Sequence, residues 1–188
     1  MELYLYQLSI WGLALTSLMI AIFFLVLRKS NARDEMRWWT SGWFGNVAAM
    51  AITLVFWYQQ PPASLHPFVF AVYLAAKNVY VWLLVRGTLE FQSRRPRAIE
   101  ARTVVPLIIT FSIIAIFTVT TRDRLGLASQ AVVAVAFGAA AWSLARAGQP
   151  AARWIVIALS GRALLGLAEA AAYGVNVIGL APGEQIAD

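Results

Sequence analysis

The sequence has no cysteine and a single histidine, His66. Without cysteine there is no disulfide framework, no thiol nucleophile and no thiolate metal site. A lone histidine also excludes a multi-histidine haem or metal centre built from this chain alone. We therefore expect no metal and no cofactor. Charge is scarce as well, since charged residues make up only 13% of the chain.

Hydrophobic residues, by contrast, make up 61% of the 188 residues, and the mean hydropathy is +0.69. A soluble domain of this length does not need so much apolar surface, so the composition predicts an integral membrane protein. The net charge of +6 does not indicate nucleic acid, because most arginines and lysines lie in short segments between apolar runs. There they orient a protein in the lipid bilayer.

Six apolar runs approach the length of about 20 residues that a membrane-spanning helix needs. They predict an all-α fold, a polytopic transmembrane helical bundle of six spans, with residues 1–188 forming a single membrane domain. The predicted helices cover residues 3–27, 32–58, 67–86, 103–121, 124–146 and 151–177.

Segments rich in basic residues alternate along the chain with segments that have few. Because basic segments stay inside, this alternation predicts that both termini lie outside. External segments carry only Arg122 and Arg124. We expect the tail 178–188 to lie outside and to lead to a further helix. The interior segments carry the remaining cations that flank the apolar runs, namely Arg28, Lys29, Arg33, Arg37, Arg86, Arg94, Arg95, Arg97, Arg102, Arg146 and Arg153.

The sixth run contains two opposite charges, Arg162 and Glu169, seven residues apart on one helix face, with Asn176 seven further on. Ten strongly apolar residues favour insertion by about 0.5 kcal/mol each, and two charges oppose it by about 3 kcal/mol each. The sums nearly cancel. This helix therefore needs protein neighbours for its polar stripe.

A second charge lies mid-span in the third run, where Lys77 and Asn78 are adjacent and Tyr73 and Tyr80 lie on the face of Lys77. We expect Lys77 to meet Arg162 or Glu169 in the bundle core. Such a cluster is either a structural network that pairs two helices or a ligand, ion or proton site. Two cations against one anion favour a small or lipidic anionic ligand in the second case.

Gly166, Ala170 and Gly174 form a ladder of small residues on the sixth helix. This pattern is typical of close packing, either within the monomer or between the subunits of a homodimer. The chain contains no phosphate-binding, zinc-protease or nucleophile-elbow motif and no carboxylate pair at useful spacing. We therefore expect no enzyme activity from this chain.

Two segments, LVLRKSNARDEMRWWTSGWFGN and YQQPPASLHP, combine a basic turn, a tryptophan-bearing second helix and a proline-containing external loop. With the following VWLLVRGTLEFQSRRPR, they resemble the multi-helix membrane sensor regions of bacterial signalling proteins, namely GGDEF diguanylate cyclases and some histidine kinases. The resemblance covers about residues 5–100. It implies a sensory module in the bacterial inner membrane that feeds a separate output domain.

A small transporter or channel is the alternative. Six helices divide into two three-helix halves of opposite orientation, as in inverted repeats, and a charged helix is third in each half. The halves show no visible sequence similarity. A purely structural membrane subunit is a third interpretation.

Overall fold

The computed structural model describes residues 2–30, 33–92, 100–148 and 150–179, apart from the side chains of residues 2–10, 57 and 151. The predicted all-α class is confirmed, because the described residues form helices and no strand. The helices are α1 (Glu2–Ser30), α2 (Asp34–Gln59), α3 (His66–Phe91), α4 (Ala101–Thr118), α5 (Arg122–Ala147) and α6 (Arg153–Gly179).

Backbone conformation, proline and side-chain caps set several of the helix ends. At the end of α2, Gln60 adopts a left-handed backbone with φ of 41°, and two prolines follow it, so the helix cannot continue. Thr121 caps α5, because its side chain accepts a hydrogen bond from the backbone N–H of Arg124 at 3.3 Å. Gly148, with φ of 66°, ends α5 in the same left-handed conformation as Gln60.

The third helix is longer than the sequence predicts, since it continues beyond residue 86 to Phe91. Its added turns pack on α2: Gly87 lies directly beneath the ring of Trp39, and Phe91 stacks on the same ring at 6.3 Å between centroids. Residues 87–91 therefore belong to the helix and not to the segment expected between the third and fourth helices. The basic residues Arg94, Arg95 and Arg97 lie outside the described residues.

The chain divides into two compact units, and the first comprises residues Met1–Thr118. In it, α2 packs between α1 and α3, and α4 packs on α3. The α1–α2 contact is antiparallel, since Trp11 meets Tyr58 at one end and Phe24 meets Trp39 at the other. Small residues let α2 approach α3 closely; a Cβ atom at Gly42 would lie 3.0 Å from Leu84.

The second unit, Val119–Asp188, is built on the packing of α5 against α6. The predicted small-residue ladder makes this contact. A Cβ atom at Gly166 would lie 3.3 Å from backbone atoms of Gln130 and Ala134, and Ala170 is buried. The ladder therefore packs within the chain, and its use in a homodimer stays a prediction.

Many large side chains on the outer surfaces of these helices are apolar, whereas several buried positions are polar. Among the described residues, Phe117, Val175 and Ile178 are more than two-thirds exposed, while Ser17 and Asn46 are buried. Five helical segments are long and apolar enough to cross a membrane, so the fold is compatible with a membrane-embedded protein. These segments are Trp11–Ser30, Ala63–Phe91, Ala101–Thr118, Arg122–Ala147 and Arg153–Gly179.

Candidate functional site

Three helices of the first unit are joined by a chain of buried polar side chains, which we call the lysine relay: Ser17 on α1, Asn46 on α2 and Lys77 on α3. The ammonium of Lys77 donates a hydrogen bond to Oδ1 of Asn46 at 2.7 Å. The Nδ2 of Asn46 in turn donates to Oγ of Ser17 at 2.9 Å. All three side chains are at most 9% exposed. The relay thus connects the three helices through one amide.

The position of Asn46 follows from the small residue that precedes it. A Cβ atom at Gly45 would lie 3.5 Å from the Cα of Tyr80, so at this level only about the width of a methyl group separates the two helix backbones. Tyr80 lies one helical turn beyond Lys77. This close approach brings the short Asn46 side chain within hydrogen-bond reach of the lysine, whose long stem spans the remaining distance.

Two tyrosine rings lie close to the ammonium of Lys77. Its Nζ lies 5.9 Å from the ring centroid of Tyr73 and 5.6 Å from that of Tyr80. Trp43 packs on Tyr80 at 5.5 Å between centroids. The negative face of an aromatic ring attracts a cation, most strongly where water is excluded. Both rings thus lie on the face of Lys77, as their spacing along α3 predicts, and their role in a ligand site stays a prediction.

The acidic residues of α1 to α4 lie near helix ends, far from this level. The sequence contains no aspartate or glutamate from Met36 to Leu89. Glu90 is thirteen residues further along α3 than Lys77, which corresponds to about 20 Å. The neighbours of Lys77 on α2 and α3 therefore include an amide oxygen and two tyrosine rings, and the carboxylates of these two helices are too distant to pair with it.

The second unit contains a separate polar cluster. Arg162 lies between two partners: its Nη2 donates to Oε1 of Gln130 on α5 at 3.1 Å, and its Nη1 approaches Oε2 of Glu169 at 3.5 Å. The Arg162 and Glu169 side chains retain 29% and 36% exposure. They interact two turns apart on α6, as their seven-residue spacing predicts. Gln130 links this ion pair to α5.

Two predicted site residues are not members of the cluster in their own unit. Asn176 is exposed near the end of α6, where its Nδ2 lies 3.4 Å from Oδ1 of Asp123. Asn78 is half-buried beside Lys77 but takes no part in the lysine relay. The structure thus places Lys77 with Tyr73 and Tyr80 in one unit. It gives Arg162 and Glu169 a cluster of their own in the other, and the predicted pairing of Lys77 with either stays a prediction.

Sequence reasoning missed three members of these clusters, namely Ser17, Asn46 and Gln130. A signal for them was available, because each is a polar residue inside an otherwise apolar run. Hydroxyl and amide side chains in such runs form hydrogen bonds between helices. Attention to formal charge alone overlooks these neutral partners.

Together, the all-helical fold and the buried lysine relay define a helical protein compatible with a membrane, with an ionisable group in its interior. No protein-family model, curated protein or solved structure matches the chain.

Proposed function

We propose that the chain is a membrane-embedded sensory module, the input part of a longer bacterial signalling protein such as a diguanylate cyclase. The lysine relay is its signal-responsive site. In this proposal the six helices span the bacterial inner membrane with the N-terminus and the C-terminus outside. The five long apolar helices support the membrane placement, and the distribution of basic residues supports the orientation. The link to a signalling output rests on the sequence resemblance.

The observation that carries the sensory site is the hydrogen bond between buried Lys77 and Asn46. A lysine at the centre of a membrane helix costs about 3 kcal/mol on insertion scales. A contact whose only purpose was packing would be made more stably by apolar residues of similar volume. Ionisable residues within membrane helices mark ligand, ion or proton sites by default. We therefore assign Lys77 a functional role, because packing alone would not require a residue that lowers stability.

The chemistry of this site favours an anionic ligand, either a small carboxylate or a lipid-derived one. The carboxylate would accept a charge-assisted hydrogen bond from the ammonium, which is stronger than the bond to a neutral amide. It would compete with Asn46 for Lys77. Because Asn46 also holds Ser17, release of the amide would loosen the contact between α1, α2 and α3, and ligand binding would be converted into helix movement.

The transporter alternative receives less support from the fold. Two inverted three-helix repeats would divide the chain between α3 and α4. The two compact units instead divide after Thr118, which places α4 with α1, α2 and α3. Four helices and two helices do not make matching halves, so we retain the sensory proposal.

Thermal unfolding of the purified chain in lipid nanodiscs tests the site. We expect decanoate to raise the melting temperature and the uncharged analogue decanol to leave it unchanged, because only the carboxylate pairs with Lys77. Lys77→Met should abolish the effect. Lys29→Met is the matched control, since Lys29 is exposed in the last turn of α1. A similar shift with decanol, or a full response in Lys77→Met, would refute an anion site at Lys77.

The coding region downstream of Asp188 tests the output. An additional membrane span followed by a cyclase or kinase domain would support an input module. A stop codon immediately after Asp188 would contradict that part of the proposal. The decanoate experiment would still test, independently, whether Lys77 binds an anion.

A further inference from the structure

A charged cleft of about 340 Å³ lies between the beginning of α2 and the end of α3. On α2 its lining residues recur at helical spacing over the first turns, so they share one face. On α3 the cleft is lined by two residues four positions apart. The lining residues are Asp34, Arg37, Trp38, Ser41, Arg86 and Glu90.

We propose that this cleft binds the head group of a zwitterionic phospholipid of the phosphoethanolamine class. The proposal relies on the membrane placement given above but does not depend on any role of Lys77. It assigns the arginines to the phosphate and the carboxylates to the amine.

The depth of the cleft favours a lipid head group over a soluble ligand. Arg37 and Arg86 are each nine residues from the lysine relay, one along α2 from Asn46 and the other along α3 from Lys77. Nine residues of helix correspond to about 13–14 Å. The hydrocarbon core is about 30 Å thick, so with the relay at mid-membrane the backbone of Arg37 and Arg86 lies at the edge of the core, and their long side chains extend from there to the head groups.

The pattern of charge favours a zwitterion over a purely anionic head group. The cleft presents two guanidinium groups, on Arg37 and Arg86, and two carboxylates, on Asp34 and Glu90. Guanidinium groups bind phosphate in paired hydrogen bonds. The carboxylates would repel a second negative charge but accept hydrogen bonds from a primary amine. A trimethylated amine has no N–H to donate, so a phosphocholine head group is disfavoured.

The cleft also contains an aromatic side chain suited to the membrane interface. The guanidinium carbon of Arg86 lies 4.2 Å from the ring centroid of Trp38. Stacking of this kind holds the planar guanidinium in a fixed orientation against the indole ring. Tryptophan is itself enriched at the level of the head groups. Arg86 is thus oriented before the lipid binds.

Native mass spectrometry of the detergent-purified chain tests the proposal without any mutation. Equimolar phosphatidylethanolamine, phosphatidylcholine and phosphatidylglycerol with identical acyl chains are added, and the lipid retained is counted. We expect phosphatidylethanolamine to be retained on the order of tenfold more than phosphatidylcholine, as the loss of one charge-assisted hydrogen bond implies. Equal retention of all three lipids, or preference for phosphatidylglycerol, would overturn the assignment.

Two variants then distinguish recognition of the amine from recognition of the phosphate. Glu90→Gln should shift the preference from phosphatidylethanolamine towards phosphatidylglycerol, whereas Arg37→Gln should weaken the retention of both. Arg146→Gln is the control, because the guanidinium of Arg146 also stacks on a tryptophan, Trp142, at 4.7 Å but belongs to the second unit. An equal change in selectivity in Arg146→Gln would show that the effect is general to surface arginines and would refute a specific cleft.

Discussion

The ammonium of Lys77 and the amide oxygen of Asn46 are 2.7 Å apart in the interior of the first unit. This hydrogen bond joins the only lysine outside α1 to an amide that also binds α1 through Ser17. A buried cation is thereby coupled to the packing of three helices, so a change at the cation can alter the contact between them.

The first prediction concerns the strength of this coupling. Asn46→Leu should lower the melting temperature in detergent, because it leaves the buried ammonium without its amide acceptor. Adding Lys77→Met should recover part of the loss. A double-mutant cycle should give a coupling energy on the order of 1 kcal/mol, as polar pairs in membrane proteins do. Asn78→Leu provides a control at the adjacent amide, and strict additivity of the two relay mutations would contradict the coupling.

The second prediction concerns the close approach of α2 and α3. Gly45→Leu should destabilise the chain by about 1–3 kcal/mol, because a large side chain must displace the Tyr80 backbone. Gly12→Leu should have little effect, since a Cβ atom at Gly12 meets no atom within 4 Å among the described residues. Thermal unfolding of both variants compares them, and equal melting temperatures would show that the helices are not in tight contact at Gly45.

The third prediction identifies the cation that pairs with Glu169. Glu169→Gln should lower the melting temperature, because it leaves a partly buried cation uncompensated. Adding Arg162→Leu should recover part of the loss, since Arg162 lies 3.5 Å from this carboxylate. Asp123→Asn is the control at an exposed acid. Recovery with Lys77→Met instead of Arg162→Leu would favour the sequence-based pairing of Lys77 with Glu169.

The fourth prediction concerns orientation. The chain has no native cysteine, so single introduced cysteines report without background. An impermeant thiol reagent should label Ser64→Cys in intact cells but not Ser30→Cys, because the basic residues around Ser30 are expected to hold that turn inside. Both serines are exposed. Labelling of Ser30→Cys but not of Ser64→Cys would show that the orientation is opposite to the predicted one.

The helical fold was predictable from the sequence because it depends on composition and on long apolar runs. The end of α3 was not, since RGTLEF is polar enough to look like a loop and becomes helical through the packing of Gly87 and Phe91 on Trp39. Tertiary contacts here outweigh local preference.

The candidate site was predictable only in part, for a related reason. Spacing along one helix places Tyr73 and Tyr80 beside Lys77, and it places Glu169 on the face of Arg162. The partners Asn46 and Gln130 lie on other helices, and their choice depends on the rotation and depth of each helix pair. A single sequence carries the periodicity of a helix but not the register between two helices.

The most direct test of the central claim, that the lysine relay is a responsive site, is NMR spectroscopy of the side-chain nitrogens of lysine. The chain has only two lysines, Lys77 and the exposed Lys29, so selective ¹⁵N labelling gives one signal from the site and one internal control. In nanodiscs the account predicts that Asn46→Leu and the addition of decanoate each shift the Lys77 signal and leave the Lys29 signal in place. A Lys77 signal unmoved by both changes, or moving in step with Lys29, would contradict it.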